Sequence, residues 1–286
     1  MLLLCSCHGD QILPTAANYE YYTDPHIVRW NGDHLNYHGE CDLVLLRVPD
    51  YRGKPLSVHI RTRGMKIYSF IEAVAIQYGD SYYEFNNADP QNPPKQYFGG
   101  APIESLPFRQ GEFKVTSHMM KNVDLQQDIL AVNVHFDNSQ DKIAIHAMGS
   151  FVFVDIDATS NDLTAAGGLL GSFPEGKMLG RDGSDLSFDR DIYGNHWQVQ
   201  TDEPKLFVST PEGHPMAPQT CKLPEVDAHD YLRSENAELY QIAVEACIQE
   251  GVEGLDLDDC VFDVVVLKNK NMAAAWWGAK HDVSEE

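Results

Sequence analysis

Apolar and polar positions between about residues 19 and 208 alternate with a period of two, which is typical of β-strands. Residues 56–63 give the clearest example. On one side lie Val58, Ile60 and Thr62, and on the other lie Ser57, His59 and Arg61. This alternation predicts one buried face and one solvent-exposed face. Further strand-like runs cover residues 25–30, 35–37, 42–48, 65–78, 81–85, 111–118, 127–136, 142–148 and 150–157.

Turn and loop signals separate these runs. Asn31-Gly32-Asp33 follows the first run, and Asn-Gly readily adopts the positive φ angles of a type I′ turn, so a hairpin is predicted there. Residues 86–100 are rich in Pro, Gly and Asn and are predicted to form a loop. The spacing of strands and turns is that of an all-β sandwich or barrel.

The chain changes character after residue 208. Apolar positions recur at helical spacing over residues 228–251, with Gly251 as the stop signal, and a second short helix is predicted within residues 271–281. We therefore predict an antiparallel β-sandwich with a small α-helical C-terminal extension. Its parts are an N-terminal segment (1–18), the sandwich (19–208), a linker (209–224) and the helical, cysteine-containing extension (225–286).

Acidic residues outnumber basic ones, with 43 Asp and Glu against 21 Lys and Arg and a net charge of −22 over 286 residues. Such a surface repels nucleic acids and anionic lipids, whereas it attracts Ca²⁺ or basic partners. The alternative is that the charge serves solubility alone. No apolar run reaches the ~18 residues of a membrane span, so membrane insertion is not expected.

The N-terminus and the cysteines bear on the compartment. The first five residues are apolar, which is shorter than the core of a signal peptide, so the protein is intracellular or its true N-terminus lies upstream; we favour the second. Six cysteines allow two or three disulfide bonds in a secreted protein. Reduced, buried thiols in a cytosolic protein are the alternative.

Four segments in order resemble a von Willebrand factor type D domain, a module of mucins and other secreted glycoproteins. They are TDPHIVRWNGDHLNYHGECDLVLL (residues 23–46), the strands that follow, GGLLGSFPEGKMLGRDG (167–183) and YGNHWQV (193–199). The tail, from EACIQEG to LDDCVFDVVV, resembles a segment that often follows such domains. The resemblance covers about residues 19–265. Thr23 and Leu170 depart from it, because the family has glycine and cysteine there.

The resemblance implies two disulfide bonds and a strand at YGNHWQV. Cys41 would pair with Cys221, and closing so long a loop adds ~4 kcal/mol or more on a chain-entropy estimate. Cys247 would pair with Cys260 and join the C-terminal helix to a strand after it. Both bonds imply a secreted or extracellular protein.

The resemblance also implies a Ca²⁺ site formed by the first hairpin and the Gly-rich segment. The corresponding oxygen donors are Asn31, Ser172, Glu175, Asp182 and Asp185. Ca²⁺ prefers several charged oxygen ligands, so Asn31 in place of aspartate, and the nearby Lys177 and Arg181, would weaken the site. The alternative is a Gly-rich turn whose aspartates only accept hydrogen bonds from backbone N–H groups.

Two further chemistries are considered for the first hairpin. His26, His34 and His38 offer three imidazoles for zinc, although no typical zinc-binding spacing occurs. Some type D domains cleave themselves at the Asp-Pro bond, here Asp24–Pro25 with His26 beside it. Because Thr23 replaces glycine, we expect this bond to stay intact.

The predicted function is that of a secreted or cell-surface structural or adhesive module without enzymatic turnover. It would assemble with copies of itself or with other extracellular glycoproteins through an edge strand, an acidic face and Ca²⁺. One alternative is a metal-dependent hydrolase that uses the His and Asp cluster of residues 24–38. Another is a glycan-binding sandwich with an aromatic cleft formed by Tyr82, Tyr83, Tyr97 and Phe98.

Overall fold

The computed structural model describes residues 2–3, 26–89, 91–122, 127–136, 141–158, 160–208, 217, 219–226 and 228–273. Within these residues the strands form sheets of three, five and six strands. The predicted mainly β fold with antiparallel sheets and a small helical part is confirmed. Asp24 and Pro25 lie outside the described residues, as does the side chain of His26.

The strands follow one another along the sheets. The small sheet contains β1 (Leu2–Leu3), β2 (His26–Val28) and β3 (His34–Asn36). The six-stranded sheet is an antiparallel meander of β4 (Asp42–Tyr51), β5 (Lys54–Gly64), β6 (Ser69–Tyr78), β7 (Ser81–Asn86), β8 (Lys95–Phe98) and β9 (Ala101–Pro102). The five-stranded meander contains β10 (Phe108–Gln110), β11 (Phe113–Asn122), β12 (Gln127–Phe136), β13 (Lys142–Met148) and β14 (Phe151–Asp157). The predicted loop over residues 86–100 is wrong in part because β8, a four-residue strand paired to β7, lies inside it.

The two large sheets pack face to face around one hydrophobic core. Apolar side chains from alternate strand positions meet there, among them Val58, Ile60, Val74, Phe85, Val115, Val132, Val134, Ile143 and Val154. Tyr51 contacts Tyr78 of its own sheet and Phe136 of the opposite sheet, with ring centroids 5.9 and 6.1 Å apart. Full burial of one such apolar side chain contributes roughly 1.5–3 kcal/mol. The two-residue period therefore accounts for the sandwich.

The first hairpin, β2–β3, is present, but its turn differs from the prediction. Gly32 has a φ of 82°, whereas Asn31 does not have a positive φ. A type I′ turn needs positive φ at both central residues, so the predicted turn type is wrong for the longer loop over residues 29–33. A two-residue turn of that kind instead joins β4 to β5, where Arg52 and Gly53 have φ of 54° and 83°.

The described chain contains four α-helices: α1 (Arg190–His196), α2 (Ala228–Glu235), α3 (Ala237–Gln249) and α4 (Leu255–Leu267). The predicted helix over residues 228–251 is divided at Asn236, whose side chain accepts a 3.0 Å hydrogen bond from Leu239 N–H as the N-cap of α3. The predicted short helix at 271–281 lies mostly outside the described residues.

Two expected strands are helical. Residues 193–196 of YGNHWQV form the second half of α1, which begins after the N-cap Asp189, whereas Trp197 is its C-cap and Gln198 pairs with Leu43 in a β-bridge. The segment after Cys247 forms α4 despite its valines, because Cys260, Val261 and Val264 recur at helical spacing and are buried. Helices α3 and α4 share a second apolar cluster with residues of the five-stranded sheet such as Phe153. Tertiary burial has therefore overridden the β-propensity of α4.

The two predicted disulfide bonds are confirmed. Cys41 and Cys221 are bonded with Cα atoms 4.8 Å apart and 180 positions apart in sequence, and Cys247 is bonded to Cys260. The second bond joins α3 to α4 rather than a helix to a strand. None of the helices in the described part of the chain has the length and hydrophobicity to span a bilayer.

The outer face of β5 is buried, contrary to the prediction. Val58 and Ile60 face the core as expected, but His59 is only 2% exposed and Arg61 only 4% exposed. Residues 198–208, which we call the covering segment, contribute Leu206 and Phe207 to a small apolar cluster with the alanines of β6. The Arg61 guanidinium lies 4.4 Å from the centre of the Phe207 ring. A segment distant in sequence therefore covers the face that the alternation left to solvent.

The longer-range disulfide should stabilise the fold more than the local one. On the chain-entropy estimate, closing a loop of this size contributes about 5 kcal/mol, against about 3 kcal/mol for Cys247–Cys260. We expect the double substitution Cys41→Ala and Cys221→Ala to lower the free energy of unfolding more than Cys247→Ala with Cys260→Ala. Urea denaturation of the oxidised proteins measures the difference. Equal losses would contradict the expectation, and intact masses before and after reduction verify the bonds.

His59 should make stability depend on pH. Burial lowers the pKa of His59 from 6.5 to about 3; Glu203 opposes this shift and Arg47 and Arg181 add to it. The unfolded chain therefore binds a proton below pH ~6.5 that the folded chain binds only near pH ~3, so this residue destabilises the folded state as pH falls through that window. From about pH 7 to about pH 4.5, wild type should lose roughly 2–3 kcal/mol more than His59→Gln. Urea titrations of both proteins and of the exposed control His118→Gln in a buffer without carboxylates test this, and parallel curves for all three would contradict it.

Candidate functional site

The first hairpin rests on the Gly-rich loop, defined here as residues 167–186. The Trp30 indole N–H donates to Gly171 O at 3.0 Å, and the Trp30 backbone N–H donates to Leu170 O at 3.3 Å. The Trp30 ring also meets the Phe173 ring edge-on, with centroids 5.3 Å apart. Two of the segments that carry the type D resemblance are therefore in direct contact.

Arg29 and Asn31 complete this contact. The Arg29 guanidinium donates to Gly176 O and, at 3.0 Å, to the Asp33 carboxylate. The Asn31 side chain donates to the same carboxylate at 2.7 Å and accepts from the Asp33 backbone N–H at 3.1 Å. A Cβ atom on Gly176 would collide with Asn31. The Arg29 guanidinium thus lies between the hairpin and the loop, where the resemblance places Ca²⁺.

The beginning of the Gly-rich loop is bound to the edge of β4. Gly167 exchanges backbone hydrogen bonds of 2.8 and 2.9 Å with Arg47. Gly168 has a φ of 120°, and a Cβ atom there would overlap the backbone of Leu45. Only glycine fits such a close approach of two backbones, which accounts for the Gly-Gly pair in the sequence.

Helix α1 holds the loop from the other side. The Tyr193 hydroxyl donates to Gly168 O at 2.5 Å, and the Trp197 indole N–H donates to Leu179 O at 3.1 Å. The Trp197 carbonyl in turn accepts from the N–H of Val44 at 2.8 Å, which ties the helix end to β4. Each aromatic residue of YGNHW therefore has a specific hydrogen-bond partner.

The same helix packs on Tyr37, next to the first hairpin. The Tyr37 hydroxyl donates to the Asn195 side-chain oxygen at 2.7 Å. Its ring lies against both Gly39 and Gly194, and a Cβ atom on either glycine would collide with it. Burial raises the pKa of the Tyr37 hydroxyl strongly, with a further contribution from Asp191, so the group remains a neutral donor.

The predicted Ca²⁺ ligands are divided between two turns. Ser172 and Glu175 belong to the first, which a backbone bridge between Ser172 and Lys177 closes, and Asn31 of the hairpin lies against it at Gly176. The Ser172 hydroxyl oxygen is buried and has no hydrogen-bond partner among the described residues, so it has capacity for a ligand. Glu175 is exposed.

Asp182 and Asp185 belong to a second turn, which a backbone bridge between Leu179 and Asp185 closes. Asp182 accepts from the hydroxyl and backbone N–H of Ser184 at 2.6 and 3.0 Å, and Asp185 accepts from Ser187 N–H at 2.9 Å. These hydrogen bonds lower the pKa of both carboxyls, because they favour the charged form. The two aspartates therefore stabilise local turns, as the alternative interpretation of this segment stated.

A cleft of about 410 Å³ lies between the first hairpin, α1 and the helical extension. His34 and His38 line it together with His229 of α2. His34 Nδ1 is 3.3 Å from the carboxylate of Asp259, a residue of α4 that is 1% exposed and also accepts from the Asn36 amide. His34 of the hairpin thus contacts an acidic group that lies more than 200 positions later in the sequence.

Of the His and Asp residues that the hydrolase alternative names, the cleft brings together His34 and His38 among those that the structure describes. Asp33 does not line it and is paired with Arg29, while Asp24 lies outside the described residues. Burial raises the pKa of Asp191 at the cleft, with Asp189 adding to the shift. In the described ranges no group of three or more His, Cys, Asp or Glu side chains is arranged to hold a metal ion.

The aromatic residues of the glycan-binding alternative do not form one cleft. Tyr83 is fully buried and Phe98 packs against the core. Tyr97 pairs with Glu84, the position next to Tyr83, so it lies on the opposite face of the sheet. The prediction of a single cleft is therefore wrong, because alternate residues of a strand face opposite sides.

The chain matches no protein-family model, and no curated protein matches it. Its site is therefore interpreted from its own geometry. Sequence reasoning missed Arg29, His229 and Asp259, whose roles depend on contacts between distant elements. It also missed Tyr37, for which the flanking Gly39 was the available signal.

Gly194→Ala should destabilise the protein by about 1–3 kcal/mol, even though alanine is the better helix former by roughly 1 kcal/mol. The reason is the collision of the new methyl group with the Tyr37 ring. Combining it with Tyr37→Leu should give a smaller loss than the sum of the two single losses, because the smaller side chain makes room. Urea denaturation of the single and double variants measures this coupling, and a stabilised Gly194→Ala would contradict it.

Proposed function

We propose that this protein is an extracellular structural or adhesive module, related to von Willebrand factor type D domains, that works by assembly and not by catalytic turnover. One observation carries the proposal. The three segments of the resemblance that lie outside the strands, around Trp30, Gly168 and Tyr193, contact one another directly. They come together at the end of the sandwich that the Cys41–Cys221 bond closes.

The disulfide bonds support an extracellular location. Disulfide bonds persist in oxidising compartments and are rare in the cytosol. Both bonds are largely shielded from solvent, since Cys41, Cys247 and Cys260 are fully buried. A module that functions outside the cell benefits from such covalent stabilisation.

Assembly is proposed to run through the acidic surface and Ca²⁺ rather than through strand edges. Of the outermost strands of the two large sheets, β9 and β10 have only two and three residues and β9 ends in Pro102, whereas β14 has seven. The edge of β4 is covered in part, because its residues Arg47 and Leu43 pair through their backbones with Gly167 and Gln198. Short or covered edges disfavour strand addition. A net charge of −22 makes copies repel each other unless cations screen or bridge them.

Ca²⁺ is proposed to bind between Asn31 and Ser172, weakly because Arg29 already supplies positive charge there. The Asn31 oxygen and the unpartnered Ser172 hydroxyl are the donors, with exposed Glu175 nearby in the loop. A Ca²⁺ site with few charged ligands has a dissociation constant on the order of 10⁻⁴–10⁻³ M, which is the range of extracellular modules.

Sedimentation velocity of the oxidised protein tests the proposal. We expect assembly to increase as Ca²⁺ rises to about 1 mM, but not with NaCl of equal ionic strength. Asn31→Asp adds a charged ligand and should shift the transition to about tenfold lower Ca²⁺. The matched control Asp80→Asn, an exposed residue in the β6–β7 turn, should leave the transition unchanged. A monomer at every Ca²⁺ concentration, alone and with mucin-type glycoproteins, would overturn the proposed function.

A further inference from the structure

A second cavity, of about 240 Å³, lies beneath the covering segment on the outer face of the six-stranded sheet. Its floor is formed by Asp42, His59 and Arg61, and its walls include Gln198, Gln200, Lys205, Phe207 and Gln219. A volume of this size admits several water molecules or one small organic molecule. None of the functions considered above uses it.

His59 is the group in this cavity that lacks partners. It is 2% exposed, and neither ring nitrogen has a hydrogen-bond partner among the described residues. Buried polar atoms are hydrogen-bonded in the great majority of cases, and leaving one unpaired is destabilising by about 1–3 kcal/mol. Two unpaired nitrogens in a lined cavity indicate a site for a polar ligand.

Arg61 and Lys205 define the charge of that ligand. Arg61 donates Nε and Nη2 to Asp42 at 2.7 and 2.9 Å, so its remaining nitrogen, Nη1, has no partner in the described chain. Stacking on Phe207 fixes the plane of the guanidinium. Lys205 is exposed and makes no ion pair with a described residue. Asp42 neutralises Arg61, and the carboxylates of Glu72 and Glu84 also act on its guanidinium. Lys205 is therefore the cation at this cavity that has no carboxylate partner in the described chain.

We propose that the cavity of His59, Arg61 and Lys205 binds a small oxyanion, either a carboxylate or a sulfate group. Such a group accepts hydrogen bonds only, and the cavity offers it an ammonium, a guanidinium N–H and an imidazole N–H. It would pair with the Lys205 ammonium, and Phe207 with Leu206 would contact the apolar part of the molecule that carries it. The source is a free small anion or an acidic sugar residue at the end of a glycan. The proposal does not depend on the assembly role.

Protonation of His59 supplies a readout that a purely structural residue would not give. Glu203 raises the pKa of His59, whereas Arg47 and Arg181 lower it; Asp42 and Lys205 also line the cavity. A bound anion adds negative charge beside the ring and so raises this pKa. Affinity for sulfate, which stays ionised over this range, should therefore increase as pH falls.

The experiment is an NMR titration of the oxidised protein, following the His59 ring resonance, which His59→Phe identifies by its loss. Acetate and sulfate are the free probes, and a disaccharide ending in glucuronate is the glycan probe. We expect saturable shifts at millimolar concentrations, and an apparent His59 pKa that rises with anion. Lys205→Gln should weaken binding about tenfold, because it removes one charge-assisted hydrogen bond.

The control Lys114→Gln makes the same charge change at an exposed position of β11 and should bind like wild type. Lys205 is also exposed, so its substitution leaves the core intact and remains informative if His59→Phe does not fold. Response to the disaccharide alone assigns the glycan source, and response to all probes assigns a general anion site. No His59 shift with any probe, equal shifts with neutral glucose, or equal affinity in Lys205→Gln would each overturn the proposal.

Discussion

The bond between Cys41 and Cys221 ties the start of β4 to the chain that leaves the covering segment. Glu40 and Lys222, on either side, pair through their backbones, and Gln198 accepts from Cys221 N–H at 3.3 Å. The covering segment is therefore held at Gln198 by Cys221, and at its other end the Val208 N–H donates to the Glu84 carboxylate at 3.1 Å. Because the covering segment is held in place, the face of the six-stranded sheet that carries Arg61 is buried instead of exposed to solvent.

The strands could be predicted well from the sequence, because burial of one face leaves a local two-residue pattern. The return of residues 198–208 to cover the other face could not, since that contact joins segments more than 100 positions apart. Helix α4 shows that a local pattern can also predict the wrong element. Its valines favour a strand locally, and only burial against α3 and the five-stranded sheet selects the helix.

The site was partly predictable for a different reason. The Gly-Gly pair and YGNHW mark positions where close packing in the fold restricts the residue type. At Gly168, for example, a side chain would overlap the backbone of β4. The disulfide partners followed from family resemblance and not from the spacing of six cysteines. The roles of Arg29 and His59 leave no local signal, because each depends on what the folded chain places opposite the side chain.

Several arginines are used inside the fold. Arg61 pairs with Asp42, Arg63 with Glu72, and both Arg47 and Arg181 with Glu203. Three carboxylates thus neutralise most of the charge of these four arginines, and the outward electrostatic field is set mainly by the remaining carboxylates of a chain with a net charge of −22. Added salt screens repulsion between exposed charges far more than it weakens partly buried pairs. Screening therefore reduces repulsion among the exposed carboxylates more than it weakens these partly buried arginine pairs, so added salt should favour the folded state.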